Sequence, residues 1–419
     1  MPDRSVAPSF TPPAKFKLPK PEIQILNNGT RFLSVSAGDQ PVIKLEFMFR
    51  SGLRFEERPG IAFCTSKMLM EGTRNFNSKK ISEALDQYGA FVEIHPGFDY
   101  TNISAHIPTA YLKKIEHVIS EVLFEPTFPE DELELLKQIQ TQQIKVNQQK
   151  NSFVASRLFR SKLFPQNPYG HVMDEQVIAS IERNDVAAFF SKWMKGRFDV
   201  FLTGNFDEDT QRSILHIFED KLEKPPIFND LANGRDMHFN EYIQKEDSLQ
   251  SAICLGKKSI NRTHEKYGKT LLLNEIFGGY FGSRLMQNIR EDKGLTYSIY
   301  SHLASMKDAA YFVISSDVKK ELKDQAVEEI DKEIVKIKSK LIGQKELQQA
   351  KNYLKGSIMN TLTNPFAIAD KLKNIFLYDL GNDFYDRLFD DIDEADAEEL
   401  RTLANEVLFD FPLSSVVVG

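Results

Sequence analysis

The sequence predicts an α+β fold made of two similar domains. Three observations carry this. The chain has 419 residues, which suits two domains of about 200. Strand-like and helix-like patterns interleave without a βαβ rhythm. Landmarks in the first half recur in the same order in the second at a nearly constant offset. Glu132, Leu133 and Lys137 in DELELLKQ reappear as Glu346, Leu347 and Lys351 in KELQQAKN, an offset of 214. Ile181 and Asp185 match Ile392 and Asp396 at 211, and DVFLTG ending at Gly204 matches SSVVVG ending at Gly419 at 215. The division that follows is an extended arm over 1–20, a first domain over 21–225, a polar linker over 226–245 and a second domain over 246–419.

The elements read in order. PVIKLEFMFRSG alternates and is rich in β-branched residues, hence a strand. Residues 60–71 form a helix stopped by Gly72, and SKKISEALDQYG a shorter one with its own glycine stop. AFVEIHPGFDYTNISAHIP reads as two strands about a Pro-Gly turn. YLKKIEHVISEVLF places Leu112, Ile115, Ile119 and Leu123 on one helical face. Residues 129–149 are a long polar helix, and DVAAFFSKWM another. The second half runs in parallel: strand SAICLGK, helices GKTLLLNEIFG and SRLMQNIRED, strands near 296–303 and 309–318, and a helix over 320–339.

Composition narrows function. Apolar residues are 41% and charged residues 27%, ordinary for a globular chain with real cores. A net charge of −7 argues against nucleic-acid partners. No run of about 18 apolar residues offers a membrane span. Cys64 and Cys254 lie in apolar surroundings, one per half, and read as two buried thiols. The N-terminal stretch is rich in Pro and Lys and lacks an apolar h-region, so it reads as a solvated leader or a strap across a partner, and the chain as cytoplasmic. The eight histidines include no i,i+4 pair, and neither a nucleophile elbow nor a phosphate loop is present.

The segment GIAFCTSKMLMEGT, Gly60 to Thr73, resembles the signature of the insulinase/pitrilysin peptidases, G-x-A-H-x-x-E-H-M-x-F-x-G-T. Gly60, Ala62, Met68, Gly72 and Thr73 fall in register. In that motif two histidines one helical turn apart bind Zn²⁺, and the glutamate between them takes a proton from the metal-bound water. Here Phe63 and Lys67 stand at the histidine positions and Ser66 at the glutamate, and the family's downstream glutamate ligand falls on Gln143. Phe does not ligate, a protonated lysine repels the ion, and Ser is too weak a base. No metal is therefore expected in this chain, and residues 60–71 read as a core helix.

The match is stronger in the second half. GGYFGSRLMQNIREDKGLTYS, Gly278 to Ser298, resembles the family's S-R-L-x-x-x-x-R-E-x-x-G-L-x-Y-S at every fixed position. The resemblance implies that Arg290 and Tyr297 reach substrate at a zinc, where guanidinium and phenol donate to a peptide carbonyl and to the oxyanion formed on water attack. The residues alone also allow Arg290 a surface ion pair with Glu291 or Asp292 and Tyr297 an ordinary strand place. LNNGTRF and the N-P-Y-G turn at 167–170 extend the resemblance, which covers the chain from about residue 22. The family's substrate-receiving strand falls on Ala90, Phe91, Val92 and Glu93, where Glu93 replaces the usual Asn.

The resemblance implies half of a clam-shell. It also implies a division of labour in which one subunit holds zinc and a homologous one supplies the Arg/Tyr pair. The chain is then expected to be the metal-free subunit of a heterodimeric zinc endopeptidase, inactive alone, with a zinc-bearing homologue and a peptide as partners. A homodimer in isolation is compatible with this. The alternative is a non-catalytic scaffold or peptide-binding protein of the same fold.

Overall fold

The computed structural model describes residues 18–227, 231, 237–362 and 364–419. The first half runs β1 (Glu22–Ile25), β2 (Arg31–Ser36), β3 (Val42–Phe49), α1 (Ile61–Met68), α2 (Ser78–Gln87), β4 (Phe91–Pro96), β5 (Thr101–Pro108), α3 (Leu112–Phe124), α4 (Glu130–Gln148), α5 (Asn151–Leu163), α6 (Glu175–Ala179), α7 (Arg183–Phe189), β6 (Phe198–Gly204) and α8 (Glu208–Phe218). The second half runs β7 (Asn240–Ile243), β8 (Gln250–Lys258), α9 (Tyr267–Asn274), β9 (Thr296–Ser305), β10 (Ala310–Lys319), α10 (Lys323–Ser339), α11 (Gln344–Asn360), α12 (Pro365–Leu377), α13 (Phe384–Glu394), α14 (Ala397–Leu403) and β11 (Ser414–Val418).

The two sheets share one topology. Their orders are β1-β2-β6-β3-β5-β4 and β7-β11-β8-β10-β9. In each, one pair is parallel, β2 with β6 and β7 with β11, and the remaining pairs are antiparallel. Helices α4 and α11, α5 and α12, and α7 and α14 begin 214 residues apart, the offset of the first sequence landmark. Both α7 and α14 run on into a π-helical turn, Phe190–Met194 and Ala404–Leu408. This register pairs Asp396, the N-cap of α14, with Glu182, the N-cap of α7, rather than with Asp185.

The central strands of each sheet are buried on both faces, because each half lends a helix to the other. Along β3, Ile43, Leu45, Phe47 and Phe49 enter the first core under α1 and α3. The alternate residues Lys44, Glu46 and Met48 face the opposite way. There they meet α12, a helix from the far end of the chain. Lys44 pairs with Asp370 at 3.0 Å, Glu46 with Lys373, and Met48 packs with Leu377. The reverse holds in the second half: Ile253 and Leu255 of β8 enter the second core, while Ala252 and Cys254 pack with Ala155 and Phe159 of α5. Gly256 is required there, because a Cβ would sit 2.9 Å from the Phe159 ring.

A buried polar node ties the halves. Tyr169 of the N-P-Y-G turn, with Asn167 capping its N–H, donates to Asp99. Arg54 bonds Asp99 at 3.3 Å and, across the junction, Asp308 at 2.7 Å. The Lys307 N–H donates to the second Asp99 oxygen at 3.0 Å.

Several expectations change in detail. The stretch 226–245 is not wholly a connector, since Asn240–Ile243 is strand β7 of the second sheet; residues 228–230 and 232–236 lie outside the described residues. Of the expected arm, residues 1–17 lie outside them too, while Leu18 packs beside α12. The 60–71 helix ends at Met68, and the SRLMQNIRED helix is a wide π turn, Met286–Asp292. Both cysteines are free and buried.

If α5 is the lid of the second sheet, Phe159→Ala should destabilise the fold by about 3–5 kcal/mol in urea unfolding. It should also speed thiol labelling at Cys254, which shares its cluster, and leave Cys64 unreactive.

Candidate functional site

Helix α1 begins at Gly60, whose left-handed φ of 93° lets the chain turn sharply into the helix. The buried Glu56 carboxylate caps it, accepting from the N–H groups of Gly60 at 2.9 Å and Ala62 at 3.2 Å. Burial pushes that carboxyl up to about 7, against the pull of the Ala62 and Gly60 N–H groups. Downstream, the Ser66 hydroxyl is fully buried, donating back to the Ala62 carbonyl at 2.6 Å and meeting Thr101 at 3.3 Å. It is a core hydroxyl with its bonds made. Phe63 packs half-buried against the first core. Lys67 donates to the Ile94 carbonyl of β4 at 3.1 Å. Gln143 is exposed on α4, which packs against α1.

This donor set does not fit zinc. A ring, an occupied hydroxyl, an ammonium and an amide offer neither a neutral imidazole nor a carboxylate to a cation. Among the described residues no group of three or more His, Cys, Asp or Glu could hold a metal ion. The purified chain should accordingly carry no stoichiometric zinc by elemental analysis, and a chelator should leave its melting temperature unchanged. A chelator-dependent loss of stability would contradict this reading.

The Arg/Tyr block is built differently. Arg290 sits in the π turn with its guanidinium 4.8 Å over the Phe281 ring and its Nε 3.6 Å from Glu291. The ion pair expected from the residues alone is therefore present, but it is long and half-exposed and leaves most of the guanidinium's donors available. Tyr297 opens strand β9, the outer edge of the second sheet, and is 88% exposed. Strand β9 packs against the π turn, so the two side chains share one end of the domain.

Residues to which the sequence alone assigns no role hold this block in place. Asn288, buried inside the π turn, donates to Glu333 at 2.7 Å and Glu329 at 3.3 Å on α10. Lys293, Lys332 and Lys336 balance those carboxylates from outside. Arg284 makes a bidentate pair with Glu346 of α11, at 2.7 and 3.0 Å. The only sequence signal for these partners was the repeat, which had marked Glu346 without giving it a role.

Strand β4 is the outer edge of the first sheet. It carries Phe91, 57% exposed, and half-buried Val92 and Glu93, with buried Ala90 just before it.

Comparison with known proteins places this arrangement. The family description "Insulinase (Peptidase family M16)" matches residues 31–173, and "Peptidase M16 inactive domain" matches residues 180–354. The chain belongs to the insulinase family of peptidases, M16. Among M16 relatives, it is 26% identical to YmxG of Bacillus subtilis, named an uncharacterized zinc protease, over 80% of this chain and 83% of that one. It is 24% identical to a Helicobacter pylori YmxG named a non-peptidase homolog, over 86% and 85%. A peptidase M16 inactive domain from Pseudomonas fluorescens superposes with a TM-score of 0.88 at 24% identity, covering 95% of this chain and 98% of that one. The periplasmic protease PqqL of Escherichia coli gives 0.74 at 15% identity, over the whole of this chain and 48% of that one. The M16 fold here is thus two similar α+β domains forming half of a clam-shell. No described helix is long and apolar enough to cross a membrane.

One M16 residue outside the motifs bears on stability. Glu275 follows α9, is 8% exposed and has no hydrogen-bond or ion-pair partner among the described residues. Burial alone pushes its carboxyl up from 4.5 to about 7. The folded state therefore holds the proton more tightly than the unfolded one, and stability falls as pH rises through that window. Glu275→Gln should raise stability by up to about 3 kcal/mol at pH 8 and leave it nearly unchanged near pH 4, read by thermal melts at both values.

Proposed function

We propose that this chain is the non-zinc subunit of a heterodimeric zinc endopeptidase, lining a chamber and lending Arg290 and Tyr297 to a partner's active site. One observation carries the reading. Tyr297 stands almost fully exposed at the same end of the domain as a guanidinium with donors to spare, on a chain whose own motif helix offers no metal ligands. An exposed phenol and a guanidinium with most of its donors uncommitted suit a reacting carbonyl brought by another chain. Both donate, and in a closed, water-poor chamber each donor aimed at the oxyanion lowers the barrier by roughly 2.7–4 kcal/mol. The partner supplies the zinc, which polarises the peptide carbonyl and activates the attacking water. The peptide enters extended and adds as a strand at a sheet edge, for which Ala90, Phe91, Val92 and Glu93 at the β4 border are the candidate segment. We place the pair in the cytoplasm.

The relatives' names are in keeping with such a split, one a zinc protease and another a non-peptidase homolog. The second label also suits a scaffold or peptide-binding protein of the same fold. The contacts of Arg290 with Phe281 and Glu291 favour that second reading, because they give the guanidinium something to do at home.

Turnover separates the two. In a reconstituted pair with a subunit bearing an intact H-x-x-E-H, Arg290→Ala and Tyr297→Phe should each lower kcat by about 10²–10³-fold with KM little changed. The complex should stay intact on gel filtration. Unchanged kcat would remove the catalytic role and leave scaffolding.

A further inference from the structure

The contact between Lys67 and strand β4 has a consequence for peptide binding. The hairpin joining β4 to β5 is closed by the Gly97 N–H donating to the Tyr100 carbonyl at 2.9 Å. Along an antiparallel pair, hydrogen-bonded and non-bonded partners alternate. Stepping back from Gly97 along the register, His95–Asn102 and Glu93–Ser104 are bonded pairs. Ile94–Ile103 and Val92–Ala105 are the non-bonded ones. The N–H and C=O of Ile94 and Val92 therefore point away from β5, toward the open border of the sheet. Those four groups are what a peptide added beside β4 would bond. Pro96, the next outward position, has no N–H and ends the usable border.

Lys67 already holds one of the four. Its ammonium, reaching from α1 across the end of the sheet, takes the outward carbonyl of Ile94 at 3.1 Å. Its charge makes this bond stronger than the neutral amide bond a peptide would offer in its place. A lysine set against a sheet border is also a common bar to unwanted strand pairing. The second half repeats the device. Its β9–β10 hairpin closes with the Met306 N–H on the Ala309 carbonyl, which turns the Ser301 carbonyl outward in the same way. Asn274, at the end of α9, donates to that carbonyl at 3.4 Å. Lys67 and Asn274 are separated by the same number of residues as Ile94 and Ser301, so a helix donor meets the outward carbonyl at equivalent places in the repeat.

We propose that Lys67 is a built-in competitor for an extended peptide at the β4 border. It confines strand addition to the segment Ala90–Glu93 and keeps this subunit's own hold on peptide weak. The position that anchors metal in an intact motif helix thus becomes, in this chain, a lysine that caps the border beside it. The inference rests on the peptide-binding reading proposed above.

The test uses the full chain alone and a fluorescein-labelled, uncharged peptide of Ala, Val, Thr and Ser, followed by anisotropy. Lys67→Met keeps the aliphatic stem and frees the carbonyl, and should tighten binding by about tenfold, the upper end of what one added backbone hydrogen bond supplies. Lys67→Arg restores a donor and should bind as weakly as the natural chain. Adding Val92→Pro to Lys67→Met removes an outward N–H without touching the β4–β5 ladder, and should cancel the gain. The proposal is overturned if Lys67→Met binds no tighter than the natural chain, if Lys67→Arg binds as tightly as Lys67→Met, or if the gain survives Val92→Pro. Failure here would leave the dependence of turnover on Arg290 and Tyr297 untouched. Failure of that dependence would in turn leave the binding measurement, made without a partner, intact.

Discussion

The exchange of helices between the halves is the constraint on which the remaining structure depends. Strands β3 and β6 are buried on both faces only because α12 arrives from the end of the chain, and β8 and β11 because α5 crosses the other way. Without that exchange the first sheet would expose Leu33, Met48 and Phe201 to water, and the second Ala252, Cys254, Val416 and Val418. The charges on the exchanged faces, Lys44 and Glu46 against Asp370 and Lys373, fix which way α12 lies. The Arg54, Asp99, Tyr169 and Asp308 node then fixes the junction. Breaking one member of a buried charge group costs about 3–5 kcal/mol, because its partner is left uncompensated in a dry site. The node thereby links the half that carries α1 to the half that carries Arg290.

The fold was legible where local pattern decides it. The alternation of VIKLEFMF and the spacing of Leu112, Ile115 and Ile119 gave a strand and a helix that the structure contains, with ends shifted by a few residues. The repeat foretold two sheets of one topology. It did not foretell the helix exchange, because nothing in the sequence of α5 says which sheet its Phe159 will cover. That depends on long-range packing. The polar residues in the middle of β3 were the available signal: a lysine and a glutamate in a strand that is otherwise apolar demand partners on the second face.

The site was legible in its chemistry and less so in its supports. Three substitutions on α1, with Gln143 on α4, leave the motif positions without a metal donor set. The block around Arg290 could be recognised by its spacing. The residues that hold it, Asn288 with Glu329 and Glu333, and Arg284 with Glu346, are separated by many positions and carry no local signature. Lys67 was first notable for what it cannot do, which is bind zinc. Its bond to Ile94 appeared only once α1 and β4 were set side by side. A histidine exchanged for lysine at the end of a sheet loses a ligand and gains a reach long enough to meet the neighbouring backbone.

The role proposed for Tyr297 is to serve a metal held by another subunit. The direct measurement is fluorine NMR of the chain with 3-fluorotyrosine at position 297, bound to a zinc subunit whose ion has been exchanged for cobalt. The fluorine signal should be shifted and broadened by the paramagnetic ion in the cobalt complex and sharp in the zinc complex. Identical, sharp signals in both would put Tyr297 far from the partner's metal and contradict the account.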